Sequence, residues 1–183
     1  MSYTSVRLLL QEELTICQQP GTSVKELKSG FKVSIKPLDD KEIILFFKTD
    51  HISARKCLQM LDGDKKSCDY LALYLKDKDS RKEAICFLEL KGSDFDHAVE
   101  QIINTYKHTN AFLKQHIERN QRPFIVQGAT ICMHGSAPNV RAQQPGRDQL
   151  TKLFGQYIHI KHGLGNTSYD LGSFIRKLYH LPA

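Results

Sequence analysis

Three residues of this chain have the types and spacing to do chemistry together: Asp69, Glu89 and Lys91. The last two stand in Cys86-Phe-Leu-Glu-Leu-Lys-Gly92, an apolar run that becomes charged at its end. Side chains alternate faces along a strand, so Ile85, Phe87, Glu89 and Lys91 share one face while Cys86, Leu88 and Leu90 share the other. A solvated edge strand would alternate from its start. A row that is apolar first and charged later describes a central strand running out of a core into a cleft. The stretch Lys66-Ser-Cys-Asp-Tyr-Leu-Ala-Leu-Tyr-Leu75 is its natural partner, joined through the polar turn 76–82. An antiparallel hairpin centred on Asp79 sets Leu73 against Ile85, Leu71 against Phe87 and Asp69 against Glu89, with opposed Cβ atoms ~5 Å apart.

Two carboxylates at the end of an apolar row repel each other and lose solvation, so something must compensate. Lys91 on the same face is one candidate, which makes a plain ion cluster at a sheet edge. A divalent cation is the other: magnesium takes one or two carboxylates, keeps several waters and leaves room for phosphate oxygens. Periodicity leaves both open. Glu13 adds a further acid. On a helical wheel of residues 6–17 it falls in the middle of the apolar face made by Val6, Leu9, Leu10, Leu14, Ile16 and Cys17. A carboxylate aimed at a core is costly unless paired or metal-bound.

The elements that must position these groups follow from hydrophobic periodicity and turn residues. Helices are expected at 4–19, at 53–61 and from a Ser93 cap to about Glu118. The last of these carries the apolar stripe Phe95, Ala98, Val99, Ile102, Ile103, Tyr106, Leu113 and Ile117, with His97 and Gln101 on its polar side. Strands are expected at 31–37, 42–48, 68–75, 84–91, 124–132 and 157–161. A polar loop over 134–147 leads to a short helix at 149–154, and a final helix spans 171–179. The fold class is α/β or α+β, in a single domain over 1–183. It comprises an N-terminal helix and linker (1–30), a core sheet with its long helix (31–133) and a basic C-terminal extension (134–183).

Composition narrows the function classes. The chain of 183 residues is 40% hydrophobic and 25% charged, ordinary for a globular protein. No apolar run approaches the ~20 residues of a membrane span, and no secretory leader is read at the start. Five cysteines without a CxxC pair read as reduced, which implies the cytoplasm. Of the net charge of +6, residues 107–183 hold 10 basic side chains against 3 acidic ones, and six of the eight histidines. That asymmetry favours an acidic polymer, nucleic acid first. Arg141 and Arg147 flank Pro145-Gly146 in the polar loop, and His159 and Lys161 share a strand face; these four are the expected backbone contacts. His159 and His162 fall on opposite faces of a strand, which excludes a zinc pair.

Asp69, then Glu89-Leu90-Lys91 across a hairpin, then a helix, resembles the PD-(D/E)xK nuclease superfamily, the restriction-endonuclease-like fold. The resemblance covers about residues 60–110, and Cys68 stands where the family places proline. It implies a mixed central sheet flanked by helices and magnesium- or manganese-dependent hydrolysis of nucleic acid, DNA favoured over RNA. By the same resemblance Asp69, Glu89 and the Leu90 carbonyl bind the metal, and Lys91 orients the attacking water. Gln101 and Glu13 stand where some branches add a glutamine and a glutamate. Many proteins of the fold cut as dimers, so a homodimer is compatible with it. The alternative is a non-catalytic nucleic-acid-binding or assembly subunit that keeps the fold.

Overall fold

The expected hairpin forms the middle of a sheet. The computed structural model describes residues 5–25, 32–60, 67–91, 94–117, 124–133, 140–163 and 168–180. Within them the chain runs α1 (Val6–Glu13), a 3₁₀ turn (Thr15–Cys17), β1 (Gln18–Gln19), β2 (Ser23–Lys25), β3 (Lys32–Ser34), β4 (Ile43–Lys48) and α2 (Ile52–Cys57). It continues with β5 (Tyr70–Leu75), β6 (Lys82–Lys91), α3 (Phe95–His116), β7 (Phe124–Met133), α4 (Val140–Phe154), β8 (Ile158–Lys161), β9 (Ser168–Asp170) and α5 (Gly172–His180). The described strands make a six-stranded sheet in the order β1-β4-β5-β6-β7-β8 and a smaller one in the order β2-β3-β9. In the large sheet β1, β4, β5 and β6 pair antiparallel, whereas β7 and β8 run parallel to β6 through the crossover helices α3 and α4. This is a mixed α/β fold.

Every residue of β5 is buried, because both faces of the sheet are covered. Leu71, Leu73, Ile85, Phe87, Ala129 and Ile131 pack under α1, α3 and α4. Tyr70, Ala72, Tyr74, Cys86, Leu88 and Cys132 pack under α5 and the small sheet. Strand alternation therefore divides the described interior into two cores, one on each face of the sheet, with Tyr157 packed against both. All five cysteines are unbridged, and no helix among the described residues is long and apolar enough to cross a membrane.

Two stretches differ from expectation. The first helix ends at Glu13 and tightens into the 3₁₀ turn, which keeps Leu14 and Cys17 in the core but leaves Ile16 73% exposed. Most of the expected polar loop is helical: α4 begins at Val140 and carries Pro145 inside it. The reason is a close approach that only glycine permits. A Cβ on Gly146 would lie 2.8 Å from the Phe95 ring and 3.0 Å from Val99, so α4 sits directly on the first turns of α3. Of the expected loop, 134–139 lie outside the described residues, as does Ser93; Asp94 caps α3, accepting the His97 N–H at 3.0 Å.

The α5 layer is anchored by one ion pair. Arg176 reaches both carboxylate oxygens of Glu42, at 2.8 and 2.7 Å, and Tyr74 donates to the same carboxylate at 2.7 Å. The side chains are only 14% and 5% exposed. Hydrogen bonding from Arg176 outweighs burial and lowers the Glu42 pKa to about 2. Its stabilisation is therefore complete above the unfolded-state value of about 4.3 and is lost as pH falls from there toward 2. Arg176→Met should destabilise the protein by about 3 kcal/mol, since it strands a buried carboxylate. Urea unfolding across pH 2–7 should show the gap between wild type and variant closing at the acid end.

Candidate functional site

The β5–β6 ladder pairs Leu73 with Ile85, Leu71 with Phe87 and Tyr70 with Leu88, which brings Asp69 opposite Glu89 one step beyond it. There the two acids clasp each other's strands. The Asp69 N–H donates to Glu89 Oε2 at 3.0 Å, and the Leu90 N–H donates to Asp69 Oδ2 at 2.7 Å. Each carboxylate thus accepts a backbone N–H from the residue at or beside its partner, a charge-assisted bond on either side of the hairpin. Glu89 is fully buried and Asp69 is half-buried.

The approach to Asp69 is held just as closely. The Thr49 N–H donates to the Asp69 carbonyl at 3.0 Å and the Thr49 hydroxyl to the Cys68 carbonyl, while Ser67 Oγ returns a bond to the Thr49 carbonyl at 3.0 Å. From above, α3 adds two more. Gln101 Nε2 donates to the Ser67 carbonyl at 2.7 Å, and Thr105 Oγ1 accepts the Cys68 N–H at 2.8 Å while donating to the Gln101 carbonyl. Five polar contacts from two elements therefore fix three consecutive residues, 67–69. Cys68 is fully buried, and burial first, then the charges of Glu89 and Asp69, push its thiol far above the usual range. It stays protonated and is no thiolate ligand.

What remains is an all-oxygen donor set, the carboxylates of Asp69 and Glu89. It matches a hard cation such as magnesium and excludes the thiolate and imidazole chemistry that selects zinc. Among the described residues there is no group of three or more His, Cys, Asp or Glu side chains able to hold a metal ion. A cation here would rely on water and substrate oxygens for the rest of its shell, which magnesium tolerates.

The other expected site residues divide. Lys91 closes β6 with its backbone paired to Met133; its side chain lies outside the described residues. Gln101, read as lying on a polar side, is 4% exposed, because that side of α3 faces Ser67. Its Oε1 is buried with no hydrogen-bond partner among the described residues. Glu13 does not point into the core: the helix ends on it, it is exposed, and its charge bears on the Cys57 thiol of α2. Arg141 and Arg147 lie on a helix rather than a loop, the first exposed and the second half-buried. His159 faces the α5 side of the sheet, opposite to Glu89, stacked on Tyr169 with its Nε2 2.5 Å from the tyrosine oxygen. Lys161 is exposed on the same strand. These two are not brought to the carboxylates.

Sequence reasoning missed the clamp residues Thr49, Ser67 and Thr105, since single hydroxyls beside a strand or within a helix carry no pattern. It also missed Glu83, which shares the face of Ile85, Phe87 and Glu89. Glu83 is 1% exposed, accepts from Ser5 Oγ at 2.6 Å, and lies by the first N–H groups of α1. Burial raises its pKa despite those partners. The signal was available: an acid in register with an apolar row, at the opposite end of the strand from Glu89.

Thr105→Val should cost about 1–3 kcal/mol, the desolvation cost of leaving the buried Cys68 N–H without an acceptor. Hydrogen exchange should quicken at the Cys68 amide well before it does in the β6–β7 ladder.

No family model matches this chain, and neither a curated protein nor a solved structure matches it.

Proposed function

We propose that this protein is a metal-dependent phosphodiesterase that hydrolyses nucleic acid, DNA favoured, at the Asp69–Glu89–Lys91 end of the β5–β6 hairpin. The observation that supports this most is the pair of opposed carboxylates, each accepting a backbone N–H from the other's strand. Magnesium or manganese bound there would neutralise developing phosphate charge and lower the pKa of a bound water. On this reading the half-buried Asp69, the buried Glu89 and the Leu90 carbonyl supply the protein ligands of the metal. In the same scheme Lys91, the last residue of β6, offsets phosphate charge and orients the attacking water. Gln101 and Thr105 act as positioning residues, through the segment that carries Asp69. The excess of basic residues in 107–183 would supply a field that draws a polyanion to the protein.

A second reading has one observation in its favour. The clasp already supplies each carboxylate with a charge-assisted bond, which is what a purely structural pair at a sheet mouth requires. On that reading the fold serves a non-catalytic nucleic-acid-binding or assembly subunit.

The two separate in one experiment on circular double-stranded DNA, circular single-stranded DNA and RNA, with and without added magnesium or manganese. The nuclease reading expects cutting only with the cation. Asp69→Asn, which keeps an oxygen for the Leu90 N–H, and Lys91→Ala should each lower the rate by at least ~100-fold at unchanged Tm. Salt-dependent retention without cutting, indifferent to both substitutions, would establish the binding-only reading.

A further inference from the structure

Beyond the carboxylate pair, the same face of the sheet carries a second polar cluster. In the β6–β7–β8 array Glu89 pairs with Ile131, and Ile131 with Ile160. Met133 follows Ile131 on that face of β7, and His162 stands just past β8 at the position that continues the row. Two strand spacings separate the ends of the row, roughly 10 Å. Over this row lies α4, seated on α3 through Gly146. Gln143 and Arg147 flank that contact, one helical turn apart.

Gln143 is 2% exposed, and its Oε1 accepts from Arg147 Nη2 at 3.3 Å, which leaves Nε2 as the donor of the amide still to be satisfied. Gln143 Nε2, Arg147 Nε and both ring nitrogens of His162 are buried and have no hydrogen-bond partner among the described residues. Among the described residues no acid pairs with Arg147, and the adjacent Asp148 accepts from Gln144 at 2.7 Å. Burial and the Arg147 charge hold His162 below its ordinary pKa, so it waits as a neutral ring beside a cation. Buried nitrogens without partners are costly, and native structures supply each with water, an ion or a ligand. A set that combines a guanidinium, an amide N–H and an imidazole selects an anion with several oxygens. Arg147 also lines a surface groove of about 430 Å³ between α4 and β8, with Thr151, Gly155, Ile158 and Ile160 along it, which gives a path from solvent.

We infer that Gln143, Arg147 and His162 form a phosphate-binding subsite that holds a second phosphate of the strand attacked at Asp69–Glu89. The strand identity rests on the proposed nuclease reading; the affinity for phosphate does not. The phosphate is either an internal one, a nucleotide or two from the reacting bond, or a terminal monoester. In both cases Arg147 gives the planar fork, Gln143 Nε2 a fixed donor, and His162 a ring that donates as the anion enters.

The test reads binding without cleavage. Inorganic phosphate is titrated into the full chain with no divalent cation, following the His162 ring signals by NMR (assigned with His162→Gln) and Tm. The expected result is a saturable shift of those signals with a rise in Tm. Affinity should weaken at least ~10-fold in Arg147→Gln, the loss of one charge-assisted contact of about 1.4 kcal/mol or more. Gln143→Leu should do the same; should that buried change unfold α4, His162→Gln at its half-exposed position reads the same loss through Tm. An unsaturable response, or one that survives Arg147→Gln, overturns the subsite. DNA oligonucleotides with 5′-phosphate and with 5′-hydroxyl ends are then used as competitors. Displacement by the first alone identifies a terminal phosphate, and displacement by both an internal one. Failure of both overturns the strand assignment and leaves an adventitious ion only. Plasmid cutting is scored separately, so a null there does not decide this result.

Discussion

The reciprocal hydrogen bonds between Asp69 and Glu89 set the register on which everything else in this molecule depends. A slip of one residue along β5 would send its whole set of side chains through the sheet, exchanging Leu71 and Leu73 for Tyr70, Ala72 and Tyr74. Both faces of β5 are buried, so hydrophobicity alone discriminates the two registers weakly. The polar clasp discriminates them strongly, because a shifted strand would leave a fully buried Glu89 facing apolar neighbours. The same bonds that could present two acids to a substrate thus also specify how the central hairpin zips.

That double duty explains the density of supports around residues 67–69. A carboxylate pair at a sheet mouth gains nothing from precise opposition if the strand leading into it can fray. Thr49 and Ser67 stitch β4 to the segment from one side, and Gln101 and Thr105 hold it from the helix above. Because α3 also carries Phe95 and Val99, against which Gly146 packs, α4 is referenced to the same helix. Gln143 and Arg147 on α4 are therefore referenced to the helix that also holds the segment leading into the carboxylates.

Much of this was legible in the sequence, where alternation and turn residues are local signals. The centring of the hairpin on Asp79 was readable because the turn is polar and both flanking runs are apolar; the face shared by Asp69 and Glu89 followed from it. The stripe on α3 was readable at helical period. What was not legible depended on contacts distant in the chain. Glu13 looked buried because a wheel assumes that the helix goes on; the backbone tightens after it, and the residue swings out. Gln101 looked solvated because nothing local announces that Ser67 will present a carbonyl to it. Pro145-Gly146 read as a turn by composition, yet the missing side chain there serves close packing against α3 rather than a reversal.

The two-sided burial of the sheet has one more consequence. Side chains on the α5 face, held through Arg176 and Glu42, are separated from the carboxylate face by the peptide units of the sheet, with Tyr157 packed against both cores. Over generations the α5 layer and the small sheet can change their packing, or acquire a new partner, without disturbing the geometry on the far side. Among descendants of a common ancestor, divergence should therefore be lopsided, fast on one surface of the slab and slow on the other.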